Sequence, residues 1–354
     1  MAYTTIDDPA QYFQTVLYTG NGSDNRDITL PGDEDMQPDL VWLKSRSTNN
    51  YNHFWTDSVR GVTKYIKSDA NSAENTLSGS VKAFNSDGFR VGTEADVNNN
   101  TTTYVAWCWK AGGSTSSNSD GDITSTVSVN TTAGFSIVSY TGSGTTSNTV
   151  GHGLSSIDWL IVKSRDETDS WFVKHKSLSS NHNLNLDQNV AQTNVTSAYS
   201  EGGLSNLSGS TFGFLDGTSD ANAVNESGEK HIAYCWKEVK GFSKFGSYVG
   251  NSSADGAFVY TGFRPAWVMI KRITDTQHWM IGDNKISPFN PTDNMLKADT
   301  NDAEDTDNHV DFLSNGFKNR ITGNAFNNSN STYVYMAFAE SPFVNSNGVP
   351  TNAR

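Results

Sequence analysis

The stretch YVAWCWK at Tyr104–Lys110 decides the fold of this sequence, because it recurs twice further along the chain. Its counterparts are HIAYCWK at His231–Lys237 and YVYMAFA at Tyr333–Ala339. All three are rich in β-branched and aromatic residues, which is typical of strands. The copies lie roughly 100–125 residues apart, well above the periods of solenoid repeats and propeller blades. The repetition therefore predicts three copies of one β-rich module.

Two further strand patterns precede each closing strand, always in the same order. An opening pattern that ends in a glycine turn lies at residues 11–21, 135–143 and 242–251. An apolar run that ends in a cation follows it, at Asp39–Arg46, Asp158–Arg165 and Pro265–Arg272. A short continuous apolar run of this kind is typical of a strand that is buried on both faces.

These patterns predict an all-β chain of three tandem antiparallel β-sandwich modules, of jelly-roll or lectin-like type. We place the modules at residues 1–113, 124–240 and 241–345. Residues 114–123 are rich in Gly and Ser and are expected to form a linker between the first two modules. The tail at 346–354 has no apolar pattern, and we expect it to be flexible or to be used for contact.

The composition supports β structure and argues against several partners. Aromatic residues make up 11% of the 354 residues, while residues that favour helices are sparse. The net charge of −13, with no run of Lys and Arg, argues against nucleic acid and anionic membranes. No apolar stretch approaches the roughly 20 residues that span a bilayer. The N-terminal residues lack a signal-peptide pattern, so we expect synthesis in a cytoplasm and no membrane insertion.

The tryptophans suggest two different environments. Three lie inside the apolar runs, where packing in a core is a better interpretation than stacking on a sugar: Trp42, Trp159 and Trp267. Three others have polar neighbours, and at least one of them could line a ligand surface: Trp55, Trp171 and Trp279. These last three are the candidate ligand-binding residues.

The two cysteines occupy the same position of two modules, and the third module has alanine there: Cys108, Cys235 and Ala337. A position that takes Cys, Cys and Ala is typical of a small buried slot, and free cysteine behaves there as a small hydrophobe. We therefore expect neither a disulfide nor a catalytic thiol.

The motifs of several enzyme classes are missing from the sequence. The seven histidines form no zincin-type motif, and there is neither a Gly-x-Ser-x-Gly elbow nor a phosphate-binding glycine loop. A polysaccharide depolymerase would need paired carboxylates on facing strands, and the sequence does not place Asp57 or Asp283 relative to other acids. We expect a non-enzymatic protein with no cofactor, no catalytic residues and no metal site.

Four stretches together resemble a family of phage proteins: Leu17–Gly22, Pro38–Lys44, Tyr104–Gly112 and Gly262–Arg272. They are similar to repeat-bearing, tail-fibre-like or lectin-like structural proteins of tailed phages that infect marine bacteria, cyanobacteria included. The resemblance covers nearly the whole chain. It implies a virion component with a jelly-roll or lectin-like fold and no defined catalysis. The sequence departs from full-length fibres because it shows no long heptad shaft and no obvious N-terminal anchoring domain.

Two classes of function follow from this resemblance. The first is host receptor or glycan binding at a tail or fibre tip, with loops on a rigid sandwich carrying specificity. The alternative is a capsid decoration or head-fibre structural protein, which would match a symmetric lattice. We favour the first. The expected partners are other virion proteins and a host cell-surface glycan, and we expect a homo-oligomer, with a trimer as the first guess.

Overall fold

The computed structural model describes residues 3–196, 203–205, 207, 209–215, 223–306 and 310–351. Within them the chain is built from antiparallel sheets with one short α-helix and one 3-10 turn at Pro9–Gln11, which confirms the all-β class. The six sheets fall into three pairs along the chain, and each pair contains one large sheet and one three-stranded sheet. No helix in the described part of the chain is long and apolar enough to cross a membrane.

The first pair of sheets is formed by residues 13–109. Its large sheet has the strand order β1-β9-β3-β4-β5-β6, and its small sheet has the order β2-β8-β7. The elements are β1 (Phe13–Thr19), β2 (Arg26–Ile28), β3 (Leu40–Ser45), β4 (Phe54–Asp57), β5 (Lys64–Lys67), β6 (Asn75–Thr76), β7 (Val81–Asn85), β8 (Gly88–Val91), α1 (Ala95–Asn98) and β9 (Thr103–Trp109).

The second pair repeats this arrangement and adds two strands at one edge. The strands are β10 (Ser116–Asn118), β11 (Ser125–Asn130), β12 (Phe135–Thr141), β13 (Thr149–Gly151), β14 (Trp159–Ser164), β15 (Phe172–His175), β16 (His182–Asn185), β17 (Thr193–Asn194), β18 (Gly203–Ser205), β19 (Thr211–Leu215) and β20 (Lys230–Trp236). Their orders are β10-β11-β12-β20-β14-β15-β16-β17 and β13-β19-β18. Strand β10 lies inside residues 114–123, which were predicted to be a linker, and pairs with β11.

The third pair has the orders β21-β28-β23-β24-β25 and β22-β27-β26. Its strands are β21 (Ser243–Val249), β22 (Phe258–Tyr260), β23 (Phe263–Arg272), β24 (Met280–Asp283), β25 (Met295–Lys297), β26 (Val310–Leu313), β27 (Gly316–Asn319) and β28 (Thr332–Pro342). In the C-terminal tail, Ser346 bonds to Asp7 and the Thr351 N–H donates to the Phe343 carbonyl. Residues 352–354 lie outside the described ranges.

Each small sheet packs on one face of its large sheet and forms an outer core. In the first pair, Val41 and Leu43 of β3 contact the small sheet, where Phe89 is buried. The alternate residues of β3, Leu40 and Trp42, point to the opposite face and belong to a different core. All six residues of β3 are buried, so the prediction of a strand buried on both faces is confirmed.

The opposite faces of the three large sheets share one central core. All nine tryptophans of the chain belong to it: Trp42, Trp55, Trp107, Trp109, Trp159, Trp171, Trp236, Trp267 and Trp279. Indole rings from different pairs are in contact, because the Trp109 ring lies 6.2 Å from that of Trp236 and 5.9 Å from that of Trp267. Since an aromatic side chain buries about 150–250 Å², this shared core is a large source of stability. The core placement predicted for Trp42, Trp159 and Trp267 is confirmed.

The strand registers define equivalent positions in the three pairs. Three residues each pair with one residue on either neighbouring strand of their large sheet and are therefore equivalent. Leu40 pairs with Trp109 and Asp57, Trp159 pairs with Trp236 and His175, and Trp267 pairs with Phe338 and Asp283. By the same registers Cys108, Cys235 and Ala337 are equivalent, and all three are fully buried in the outer cores. The prediction of a small buried slot with free thiols is confirmed.

Candidate functional site

The three tryptophans named as candidate ligand-binding residues lie in the central core. Trp55 is 1% exposed, and Trp171 and Trp279 are fully buried. The Trp55 ring packs against Trp42 at 4.5 Å and Trp171 at 5.2 Å between ring centroids. None of these rings offers a face to solvent, so the structure places them in packing between sheet pairs rather than on a ligand surface.

Trp171 and Trp279 instead join neighbouring pairs through hydrogen bonds. The Trp171 indole N–H donates to the carbonyl of Lys67 in the first pair, at 2.8 Å. The Trp279 indole N–H donates to the carbonyl of Asn185 in the second pair, also at 2.8 Å. Each bond satisfies a buried donor that would otherwise cost about 1–3 kcal/mol.

His53 occupies the position equivalent to these two tryptophans, and it closes the ring of contacts. Its Nε2 lies 3.0 Å from the carbonyl of Lys297 in the third pair. The Trp42 indole N–H donates to Nδ1 at 2.7 Å, so Nε2 carries the proton and donates to Lys297. Burial lowers the pKa of His53 well below its usual value, which keeps the ring neutral. Three hydrogen bonds therefore join the pairs of sheets in a closed cycle. His53 links the first pair to the third, Trp279 links the third pair to the second, and Trp171 links the second pair to the first.

A second set of cyclic contacts lies beside the first. The backbone N–H groups of Glu74, Gln192 and Glu304 donate across the junctions to the carbonyls of Arg165, Ile273 and Arg46, at 2.8, 3.1 and 2.9 Å. Two of the junctions add an ion pair between the side chains, Arg165–Glu74 and Arg46–Glu304, each with an N–O distance of 2.9 Å. The third junction has the uncharged residues Gln192 and Ile273 instead.

The two carboxylates considered for depolymerase chemistry also lie in these junctions. Asp57 pairs with Arg60 and accepts a hydrogen bond from the Tyr234 hydroxyl at 2.7 Å. Asp283 accepts from the Thr15 hydroxyl at 2.7 Å and from the Trp107 indole at 3.0 Å. Burial raises the pKa of Asp283, although these donors oppose the shift. Both carboxylates are fully buried, so each is held by protein groups and faces no solvent-filled cleft.

The described residues contain no cluster of three or more His, Cys, Asp and Glu side chains placed to hold a metal ion.

The exposed side chains with the clearest binding chemistry lie on strand β22. Phe258 is 46% exposed and Tyr260 is 53% exposed, whereas Val259 between them is 6% exposed and packs in the outer core. The alternation of a strand thus places both rings on the outward face of the small sheet. Contiguous exposed apolar surface is uncommon on proteins and is typical of interaction and ligand-binding sites.

The same positions in the other two pairs carry no aromatic residue. The strand registers identify these positions, because Ile28 of β2 pairs with Phe89, Val150 of β13 pairs with Phe212, and Val259 of β22 pairs with Phe317. The flanking residues equivalent to Phe258 and Tyr260 are Asp27 and Thr29 in the first pair, and Thr149 and Gly151 in the second. The fold therefore does not require aromatic residues at these positions, and their presence in the third pair needs another explanation.

Tyr3, from the N-terminal segment, extends this surface. Its hydroxyl donates to the Gly262 carbonyl at 2.8 Å, so Tyr260, whose hydroxyl lies 3.1 Å away, donates to Tyr3. The Tyr3 ring packs edge-on against Phe343, with a centroid distance of 6.4 Å. We call the set Tyr3, Phe258, Tyr260 and Phe343 the aromatic surface. The repeat comparison Asp27-Ile28-Thr29 against Phe258-Val259-Tyr260 is the sequence signal that could have revealed it.

The comparisons with known proteins concern the chain as a whole. No curated protein matches the chain. The model of one protein family, described as domain of unknown function (DUF7483), matches residues 8–342 and so spans all three pairs of sheets as one domain. That match covers far more than half of the chain, and it agrees with the central core that the three pairs share. The chain therefore belongs to the DUF7483 family.

Proposed function

We propose that this chain is a non-enzymatic, tail-fibre-like surface protein of a bacteriophage particle, and that it binds a glycan of the host cell through the aromatic surface. The observation that carries the binding proposal is the outward pair Phe258 and Tyr260, at positions where the other pairs have small or polar residues. The apolar C–H face of a sugar ring packs on an aromatic ring, and the tyrosine hydroxyls supply hydrogen bonds.

The rigidity of the surrounding structure supports this role. The small sheet behind Val259 packs on a large sheet that is itself buried on both faces. A binding surface on such a scaffold loses little conformational entropy when a ligand binds. The resemblance to phage tail-fibre-like and lectin-like proteins supports the virion assignment.

A glycan array tests the binding proposal. The fluorescently labelled chain is compared with the double variant Phe258→Thr/Tyr260→Thr, since threonine suits an exposed strand and occurs at the equivalent positions 29 and 149. We expect the wild type to bind a subset of bacterial surface glycans and the variant to lose at least about tenfold in affinity, or ~1.4 kcal/mol.

The matched control is Phe289→Ser. Phe289 is 80% exposed but belongs to the loop between β24 and β25, outside the aromatic surface. Its substitution should leave glycan binding unchanged. A wild type that binds no glycan, or a double variant that binds as the wild type does, would contradict the proposal.

Cryo-electron microscopy of the particle tests the virion assignment separately. We expect copies at the tail periphery with the aromatic surface outward. Copies that tile the capsid would instead favour a decoration or head-fibre protein.

A further inference from the structure

Lys240 lies at the edge of the aromatic surface. Its Nζ is 4.4 Å from the centroid of the Tyr3 ring, within the range of a cation–π contact. The Thr4 hydroxyl donates to the Lys240 carbonyl at 2.8 Å, which ties the N-terminal segment to this residue. The lysine side chain is therefore held beside Tyr3 while it stays exposed to solvent.

Lys240 differs from two other cations near the aromatic surface, which pair with carboxylates. In the described part of the chain, no carboxylate lies within ion-pair distance of its Nζ. By contrast Lys318, opposite Phe258 in the sheet, pairs with Asp255, and Arg264 pairs with Glu340 at 3.0 Å. The charge of Lys240 is thus available to a ligand.

Tyr3 connects this charge to the stacking rings. Its hydroxyl contacts that of Tyr260, so the cation, the Tyr3 ring and the exposed Tyr260 ring form one continuous surface. Gly262 makes the arrangement possible, because a Cβ there would lie 2.8 Å from the Tyr3 hydroxyl oxygen and its φ of +82° disfavours other residues.

We infer that the glycan bound by the aromatic surface is acidic, with a sugar ring on Tyr260 and Phe258 and a sugar carboxylate on Lys240. This inference rests on the proposed function. The net charge of −13 does not oppose it strongly, because at physiological salt charges beyond about 8 Å are largely screened while Lys240 is in direct contact. An exposed lysine–carboxylate pair of this kind corresponds to an affinity gain of about two- to fivefold.

Two probes with the same sugar backbone, one acidic and one neutral, test the inference: an oligogalacturonate and its fully methyl-esterified form. Their dissociation constants are measured by saturation-transfer NMR at low and high salt for the wild type, Lys240→Gln and Tyr260→Thr. Both substituted side chains belong to the protein surface, and circular dichroism checks that the variants fold. Lys110→Gln, at the lysine that directly follows β9, is the control for general charge effects.

The wild type should prefer the acidic probe about two- to fivefold at low salt and lose the preference at high salt. Lys240→Gln should bind both probes equally, at the affinity of the ester, while Tyr260→Thr should weaken both. Equal wild-type affinity for the two probes, or a preference that survives in Lys240→Gln, would overturn the inference and leave the proposed function standing. Failure of the wild type to bind either probe would also overturn the inference, whereas the proposed function is decided separately by the glycan array.

Discussion

Trp171 donates its indole N–H to the carbonyl oxygen of Lys67, a residue 104 positions earlier in the chain, over a distance of 2.8 Å. The Trp279 bond to Asn185 and the His53 bond to Lys297 are its equivalents at the other two junctions. Together they join three pairs of sheets into one closed ring within a single chain. The stability of the protein should therefore depend on contacts between residues far apart in sequence.

The junction bond of Trp171 can be removed with little change of shape by Trp171→Phe. The substitution leaves the buried Lys67 carbonyl with one donor fewer and removes part of a buried ring. We expect the free energy of unfolding in urea to fall by about 2–4 kcal/mol. Trp55→Phe is the matched control, because the Trp55 indole nitrogen is buried without a hydrogen-bond partner in the described residues. Equal losses for the two variants would show that the Lys67 bond contributes nothing.

Arg60 is fully buried and joins Asp57, Glu74 and the Tyr234 hydroxyl at the junction of the first and second pairs. Arg60→Met leaves the Asp57 carboxylate buried without its cation. We expect a loss of about 3–5 kcal/mol in the free energy of unfolding.

Arg46→Met provides the comparison for Arg60. The Arg46–Glu304 pair is partly exposed, with side chains 16% and 22% accessible, so its loss should cost about 0–1 kcal/mol. Thermal or urea unfolding measures both variants, and an Arg60 variant no less stable than the Arg46 variant would contradict the assignment of Arg60 to the junction.

Three equivalent lysines should make stability depend on pH. Burial lowers the pKa values of Lys44, Lys163 and Lys271 to about 8, from 10.5. Between about pH 8 and pH 10.5 these lysines bind more protons in the unfolded chain than in the folded one. The free energy of unfolding therefore rises as the pH increases through this range. From pH 7 to 8.5 the rise should be about 1 kcal/mol per lysine.

The variant Lys271→Met checks this pH dependence. It removes one of the three equivalent lysines, so the rise in stability from pH 7 to 8.5 should be smaller than in the wild type, while Lys174, whose pKa burial also lowers to about 8, still contributes. The buried carboxyls of Asp69 and Asp187 do not interfere, because their pKa values of about 6 lie below this window. A flat or falling stability in the wild type over this range would contradict the prediction.

The two thiols should be inert in the folded protein. Cys108 and Cys235 are fully buried, and burial raises the pKa of both thiols, so little reactive thiolate forms. A disulfide reagent at pH 8 should label neither thiol in the native protein and both in urea. Rapid labelling without denaturant would show that the outer cores open readily.

Much of the fold could be predicted from local patterns. The continuous apolar run in Asp39–Arg46 and in its two counterparts predicted strands buried on both faces, and the Cys108, Cys235 and Ala337 series predicted a small buried slot. Both features depend only on neighbours in the same strand or on equivalent positions of the repeat. The sequence therefore contains the information directly.

The junctions could not be predicted in the same way. Polar neighbours made Trp55, Trp171 and Trp279 look like surface residues, but some of these neighbours are buried and bonded across a junction, as Asp57 is to the Tyr234 hydroxyl. Partners 94 to 244 positions apart leave no local pattern. Phe258 and Tyr260 were missed for the opposite reason, because aromatic residues beside valine in a strand usually belong to a core.

The structure of the chain in complex with an oligosaccharide selected on the glycan array would show whether the aromatic surface binds sugar. We expect a sugar ring against Phe258 and Tyr260, with a polar group of the sugar near Tyr3 and Lys240. A sugar bound elsewhere, for example on the small sheets that carry Asp27 or Thr149, would contradict it.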